Sequence, residues 1–150
     1  MQTTMNNSNE GTSGMTIKRR FTTIGEDPFE TFEWVTTDLE IRNMDGTVAD
    51  NMLGVCFPSG FEGVPGTVAA QKYLRKAGVP AVLRPVPEEG VPTWLQRSAP
   101  DEEKLQNLEA SERFIAETDF RQMFRRLAGT WTYWGWKGGY FTTEKDAKIY

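Results

Sequence analysis

The amino-acid sequence predicts an α+β fold, a small β-hairpin followed by three or four helices, and two patterns carry that expectation. Phe32, Trp34, Leu39 and Ile41 form short alternations of period two in strand-favouring residues; Asp45-Gly46 then supplies a hairpin turn, and Val48 resumes the apolar side. Farther along, Phe120, Met123, Phe124 and Leu127 recur at the i, i+3, i+4, i+7 spacing of one helix face. The 150 residues amount to about one domain, enough chain to enclose a core.

Taken in order, residues 1–15 (MQTTMNNSNEGTSGM) show no hydrophobic period, so nothing repays the entropy of ordering them and a disordered polar tail is expected, with residues 16–150 as the folded part. After the hairpin, Pro58, Gly60, Gly63, Pro65 and Gly66 punctuate a loop. Thr67 is expected to cap a helix reaching Lys76 or Ala77, with Ala69, Tyr73 and Ala77 inward beside Leu74; Gly78 and Pro80 would end it. Pro80 to Pro92, with four prolines and Glu88-Glu89-Gly90, reads as an extended connector. Ser98-Ala99-Pro100-Asp101 has capping-box spacing ahead of a brief helix bearing Leu105 and Leu108. Thr118 is expected to cap the clearest helix, with Arg121, Arg125 and Arg126 outside and Gly129 as its stop. Thr143-Glu144-Lys145-Asp146 is another capping box, opening a helix that carries Ala147 and Tyr150. No internal repeat is present.

Composition excludes several chemistries. The net charge of -4 points to neither nucleic acid nor a membrane surface, and no run approaches the roughly 18 apolar residues of a membrane helix. Absence of histidine removes the usual imidazole base and the commonest metal ligand. A lone cysteine, Cys56, rules out an intrachain disulfide, a redox pair and a thiolate zinc site, and suits a reducing cytoplasm. Lys18-Arg19-Arg20-Phe21 is faintly like a twin-arginine export signal, but Thr22, Thr23, Gly25, Glu26 and Asp27 occupy the place of the apolar stretch, so export is rejected. Apolar content of 38% is low for a compact domain, which implies disorder in part of the chain or burial against a partner.

The remaining candidates are local. Asp101-Glu102-Glu103 suits the dipole of a helix start better than acid-base work. Gly135-Trp136-Lys137-Gly138 has the G-x-x-G form of a backbone-clamping loop but not its direct helix-loop-helix setting, and it is no phosphate loop. Cys56, between Val55 and Phe57 with no basic neighbour close in sequence, reads as a buried small hydrophobe. Phe120, Met123, Phe124 and Leu127 read as core. The aromatic run Trp131, Tyr133, Trp134 and Trp136 admits three readings: a stacking platform for sugars or single-stranded bases, internal core, or an interface in which a few large rings dominate association.

Four segments, KRRFTTIGEDPFETFEWVTTDLEIRNMDG, AAQKYLRKAGVPAVL, VPTWLQRSAPDEE and ETDFRQMFRRLAGTWTYWGWKGGYFTTEKDAKIY, resemble in order the N-terminal region of adenosylcobalamin-dependent (class II) ribonucleotide reductases, across residues 16–150. The last is the most specific. The resemblance implies a parent enzyme that makes deoxyribonucleotides from ribonucleoside diphosphates with adenosylcobalamin, a cysteine thiyl radical and a cysteine pair re-reduced by a thioredoxin- or glutaredoxin-type reductant, inside an α/β barrel that follows this region. Such chemistry needs three cysteines, and this chain has one. No catalytic, cofactor-binding or metal-binding residue is therefore transferred, cobalamin binding by this segment alone is not expected, and the isolated chain is expected to be inactive. Trp131, Tyr133, Trp134, Trp136, Tyr140 and Phe141 become candidate barrel-docking residues, the barrel being in cis or a separate chain, and the ending at Tyr150 implies a fragment, a split-gene product or a truncated reading frame. The rival expectation is an autonomous module that uses the rings to stack on single-stranded nucleic acid or sugar.

Overall fold

The computed structural model describes residues 14–150, so residues 1–13 of the expected tail lie outside the described residues. Strands β1 (Trp34–Arg42) and β2 (Val48–Pro58) form the antiparallel hairpin, with Trp34 opposite Pro58 and Arg42 opposite Val48. The Asp45-Gly46 signal is the turn: Gly46 takes φ 84°, and the Asp45 carboxylate accepts from the Thr47 amide at 2.9 Å. The register slips between Thr37 and Leu39, where the Asp38 carboxylate accepts from the Gly54 amide at 2.8 Å and Gly54 takes φ 62°. Leu39, Met52, Val55 and Phe57 form the buried side of the hairpin, and Ala70, Leu74, Phe120 and Met123 complete one cluster with them.

Helix α1 spans Val64–Tyr73, so it starts before the expected Thr67 cap and stops short of Lys76. Pro65 sits in its first turn, where a missing amide costs nothing, and the Thr67 hydroxyl donates back to the Gly63 carbonyl at 2.9 Å. Its buried face is Gly66, Ala70 and Leu74, one residue out of step with the expected Ala69, Tyr73 and Ala77; Tyr73 is exposed. The offset follows from Gly66, where an added Cβ would lie 2.3 Å from the Phe61 carbonyl oxygen. Gly66→Ala is accordingly expected to destabilise the fold by about 1–3 kcal/mol through overpacking, visible as a lower urea midpoint. An unchanged midpoint would remove the steric explanation. The helix ends early because Arg75 is claimed by a distant segment: its amide donates to the Glu117 carboxylate at 3.0 Å, and its carbonyl accepts from the Glu117 amide at 2.8 Å.

The expected connector contains paired strands. β3 (Val79–Pro80) pairs with the later β6 (Phe114–Ile115), and β4 (Leu83–Pro85) with β5 (Ser98–Pro100). Ser98 thus belongs to a strand, and Asp101 caps the brief α2 (Glu102–Gln106), accepting from the Lys104 amide at 3.2 Å. Leu105 is buried as expected.

Helix α3 (Phe120–Lys137) departs most from expectation. Its cap is Asp119, not Thr118, in a full capping box with Gln122, and it runs through Gly129 to end at Gly138. A mid-helix glycine costs about 1 kcal/mol. Three contacts beyond it offset that cost: the Trp136 indole donates to the Gly90 carbonyl at 2.6 Å, the Tyr133 hydroxyl to Glu88 at 2.7 Å, and the Lys137 ammonium to Glu88 at 2.7 Å. Phe124, expected in the core, lies at its margin against Phe29 and Phe120 and is partly exposed. Helix α4 (Glu144–Ile149) has the expected Thr143 cap, accepting from the Asp146 amide at 3.2 Å.

Met15, the last residue of the expected tail, is held: its amide donates to the Tyr140 carbonyl at 2.7 Å, and its carbonyl accepts from the Thr142 amide at 3.1 Å. Among the described residues no helix is long and apolar enough to cross a membrane.

Candidate functional site

The site grows out of α3. Phe120, Met123, Leu127, Trp131 and Trp134 follow one another in steps of three and four residues, which places them on one stripe of a helix roughly 27 Å long. Phe120 and Met123 are buried in the core and Leu127 packs against it, yet Trp131 is 51% exposed and Trp134 63%. One apolar stripe therefore begins inside the molecule and ends in solvent. Tyr140, also exposed, lies close over Gly138, where an added Cβ would stand 3.3 Å from the phenol ring.

The six aromatic residues singled out in the sequence divide into two groups. Tyr133 and Trp136 are half-buried and spent on the Glu88 and Gly90 contacts. Phe141 is half-buried too, packed with Tyr150 at 5.5 Å between centroids and against Gly135, where a Cβ would come within 2.7 Å of the ring. Trp131, Trp134 and Tyr140 are the outward group. Internal packing thus claims one half of the set and leaves the other half as a surface.

Electrostatics fix the first group. The Glu88 carboxyl is held below its ordinary value, first by Lys137 and then by the Tyr133 hydroxyl, while the bond to Glu88 pushes the Tyr133 phenol up. A second anchor escaped sequence analysis. Glu117, 4% exposed, receives both arms of the Arg126 guanidinium at 2.9 and 2.8 Å, and the same guanidinium donates to the Tyr73 carbonyl at 2.7 Å. This fork ties the end of α1 to α3, although Arg126 was assigned to the outer side; only the fold brings its partners together.

Other expectations are also revised. Cys56 is half-buried rather than buried, and the Arg121 guanidinium lies 3.8 Å from its sulfur, because the Cys56 amide donates to the Thr118 carbonyl and brings the start of α3 alongside β2. Gly135-Trp136-Lys137-Gly138 is the last turn of α3 and its cap, so it is no clamping loop. Among the described residues no group of three or more His, Cys, Asp or Glu could hold a metal ion. Two open clefts, of about 480 and 300 Å³, are lined by threonine, isoleucine and cationic side chains together with Glu26 and Asp146. A corrin ring with its nucleotide loop is larger than either cleft, so these residues do not fit a cobalamin.

A family model described as class II vitamin B12-dependent ribonucleotide reductase matches residues 35–150. The chain is 49% identical over 136 residues to a vitamin B12-dependent ribonucleotide reductase of Bradyrhizobium diazoefficiens and 48% identical over 136 residues to one of Agrobacterium fabrum. Each alignment covers 91% of this chain and 11% of the relative, so the chain spans about a tenth of the length of the curated relatives it matches.

Proposed function

This chain belongs to the class II vitamin B12-dependent ribonucleotide reductase family, as the N-terminal region of such an enzyme, and from that premise we propose that it is a non-catalytic module that packs on the catalytic part of the reductase through Trp131, Trp134 and Tyr140. The observation that carries this reading is the α3 stripe, which leaves the core and ends as two indoles more than half exposed. Large rings presented together on a rigid helix are the residues that most often dominate an association. Most of the relatives' length lies outside the aligned part, and a surface within it would cover the rings.

The whole enzyme would reduce ribonucleoside diphosphates to deoxyribonucleotides in the cytoplasm for DNA synthesis. Adenosylcobalamin would supply the radical there, in the catalytic remainder, and a thioredoxin- or glutaredoxin-type protein would supply electrons. This chain contributes no step. Its one thiol, Cys56, cannot serve as radical carrier and redox pair together. Its own residues bind and brace: Glu88 and Glu117 hold α3 rigid, and rigidity keeps the indoles placed for contact.

Supplied with ribonucleoside diphosphate, adenosylcobalamin and reduced thioredoxin, the isolated chain should yield no deoxyribonucleotide. Titrated with the remainder of a relative, it should show a saturable blue shift of tryptophan emission. Turnover by the chain alone, or a shift evoked by single-stranded oligonucleotide and not by the remainder, would overturn the reading.

A further inference from the structure

Helix α1 carries a second face that the core does not use. Gly66 and Ala70 are buried, whereas Val64 and Val68, one turn apart on the opposite side of the helix, are 76% and 48% exposed, and Phe61 just ahead of them is 44% exposed. A surface helix ordinarily turns polar residues outward, and apolar residues on both sides mark a helix that is covered on both. The helix also lacks an acid. Lys72, one turn further along the outward face, and Arg75, two residues past the helix end, are exposed, and among the described residues no carboxylate lies within ion-pair distance of either. Nearby carboxylates are engaged elsewhere: Asp50 holds Lys76, Glu117 holds Arg126, and Glu62 accepts from the Gly60 amide at 2.6 Å. The face therefore runs from apolar to cationic with no counter-charge of its own.

Rigidity and size select what covers it. Ala70 and Leu74 pin this segment in the core cluster and the Tyr73 carbonyl accepts from Arg126, so the outer face cannot turn back into its own core. Three part-exposed side chains offer on the order of a few hundred Å², well short of the roughly 800 Å² per partner of a stable free complex. A contact this small holds when both surfaces are tethered and their effective concentration is high. The relatives have that tether, since the matching region and the rest of each enzyme lie in one polypeptide. We propose that the outer face of α1 packs on the catalytic part of the reductase, at an apolar surface bordered by carboxylates. The contact rests on family membership and uses none of the α3 rings.

Grafting the 150 residues in place of the matching segment of one relative gives a full-length enzyme for the test, with the photo-cross-linker p-benzoylphenylalanine at Val64 in one sample and at Val68 in another. Both positions are exposed, so the probe should not disturb the core. Irradiation should join each probe to a peptide of the catalytic part that contains aspartate or glutamate. Lys72→Glu together with Arg75→Glu should lower the yield roughly threefold or more, the loss of attraction at the rim of the contact. Trp131→Ala should leave the yield within about twofold, so that failure of the α3 docking face and failure of this contact are told apart. A second measurement needs no probe: in hydroxyl-radical footprinting, Phe61 should oxidise less in the grafted enzyme than in the isolated chain. Cross-links that stay within the graft or reach a second copy alone, a yield unmoved by the charge reversal, or equal oxidation of Phe61 in the two samples would overturn the proposal.

Discussion

Glu117→Ala is expected to lower stability by about 3 kcal/mol, the low end of the range for breaking a buried ion pair, because the Arg126 side chain is 25% exposed while that of Glu117 is 5% exposed. The loss has three parts. The Arg126 fork loses its carboxylate, the Arg75 amide loses its acceptor, and the tie between α1 and α3 is reduced to the bond from Arg126 to the Tyr73 carbonyl. Urea unfolding measures it, and a change below about 1 kcal/mol would mean that water satisfies Arg126 as well as the glutamate does. Glu117→Gln separates charge from shape, since the amide keeps the volume and gives up the ion pair.

The same group makes stability depend on pH. Burial pushes the Glu117 carboxyl up, but the Arg126 fork and the Arg75 amide outweigh it and hold the pKa below the ordinary glutamate value. For a carboxyl depressed in the folded state, the stabilisation is complete above the unfolded pKa and is lost as pH falls through the folded one. Asp119 behaves alike: burial raises it, and Arg121 more than compensates. The chain should therefore weaken as acid passes below the ordinary carboxyl range, and Glu117→Gln should flatten that limb.

The second large effect concerns association. Trp131→Ala and Trp134→Ala should each weaken binding to the catalytic remainder by about 2 kcal/mol, roughly 30-fold, if they are the anchors of the docking face. Their effect on the stability of the chain alone should stay within about 0.5 kcal/mol, since each ring is more than half exposed. Trp136→Ala should invert the pattern. It removes the indole bond to the Gly90 carbonyl and loosens the end of α3, so it should cost stability first. Surface plasmon resonance and urea unfolding on the same three variants would separate the groups, and uniform effects across them would dissolve the division.

Local chemistry made much of this fold readable. Asp45-Gly46 marked the hairpin turn, Thr143 the start of α4, and the Phe120 to Leu127 period the packed face of α3, because each depends on neighbours in sequence. The failures share one cause. Gly129 carries an ordinary helix-stop signal, but the contacts that carry α3 past it come from Glu88 and Gly90. Thr67 and Ser98 looked like caps; a proline-tolerant first turn and a strand pairing with β4 displaced them. Similarly, the arginine beside Cys56 arrives from 65 residues away. In the aromatic run, composition could nominate six rings, but separating inward from outward needed the helix phase beyond Gly129. Extending the Phe120, Met123, Leu127 period across that glycine would have reached Trp131 and Trp134, the one signal in the sequence that identifies the outward pair.

Hydroxyl-radical footprinting read by mass spectrometry bears most directly on the docking claim, comparing the chain alone with the chain bound to the catalytic remainder of a reductase. Trp131 and Trp134 should oxidise readily in the free chain and become protected in the complex, while Tyr133 and Trp136 change little. Equal oxidation of Trp131 and Trp134 in both samples, or shielding of both already in the free chain, would contradict the account.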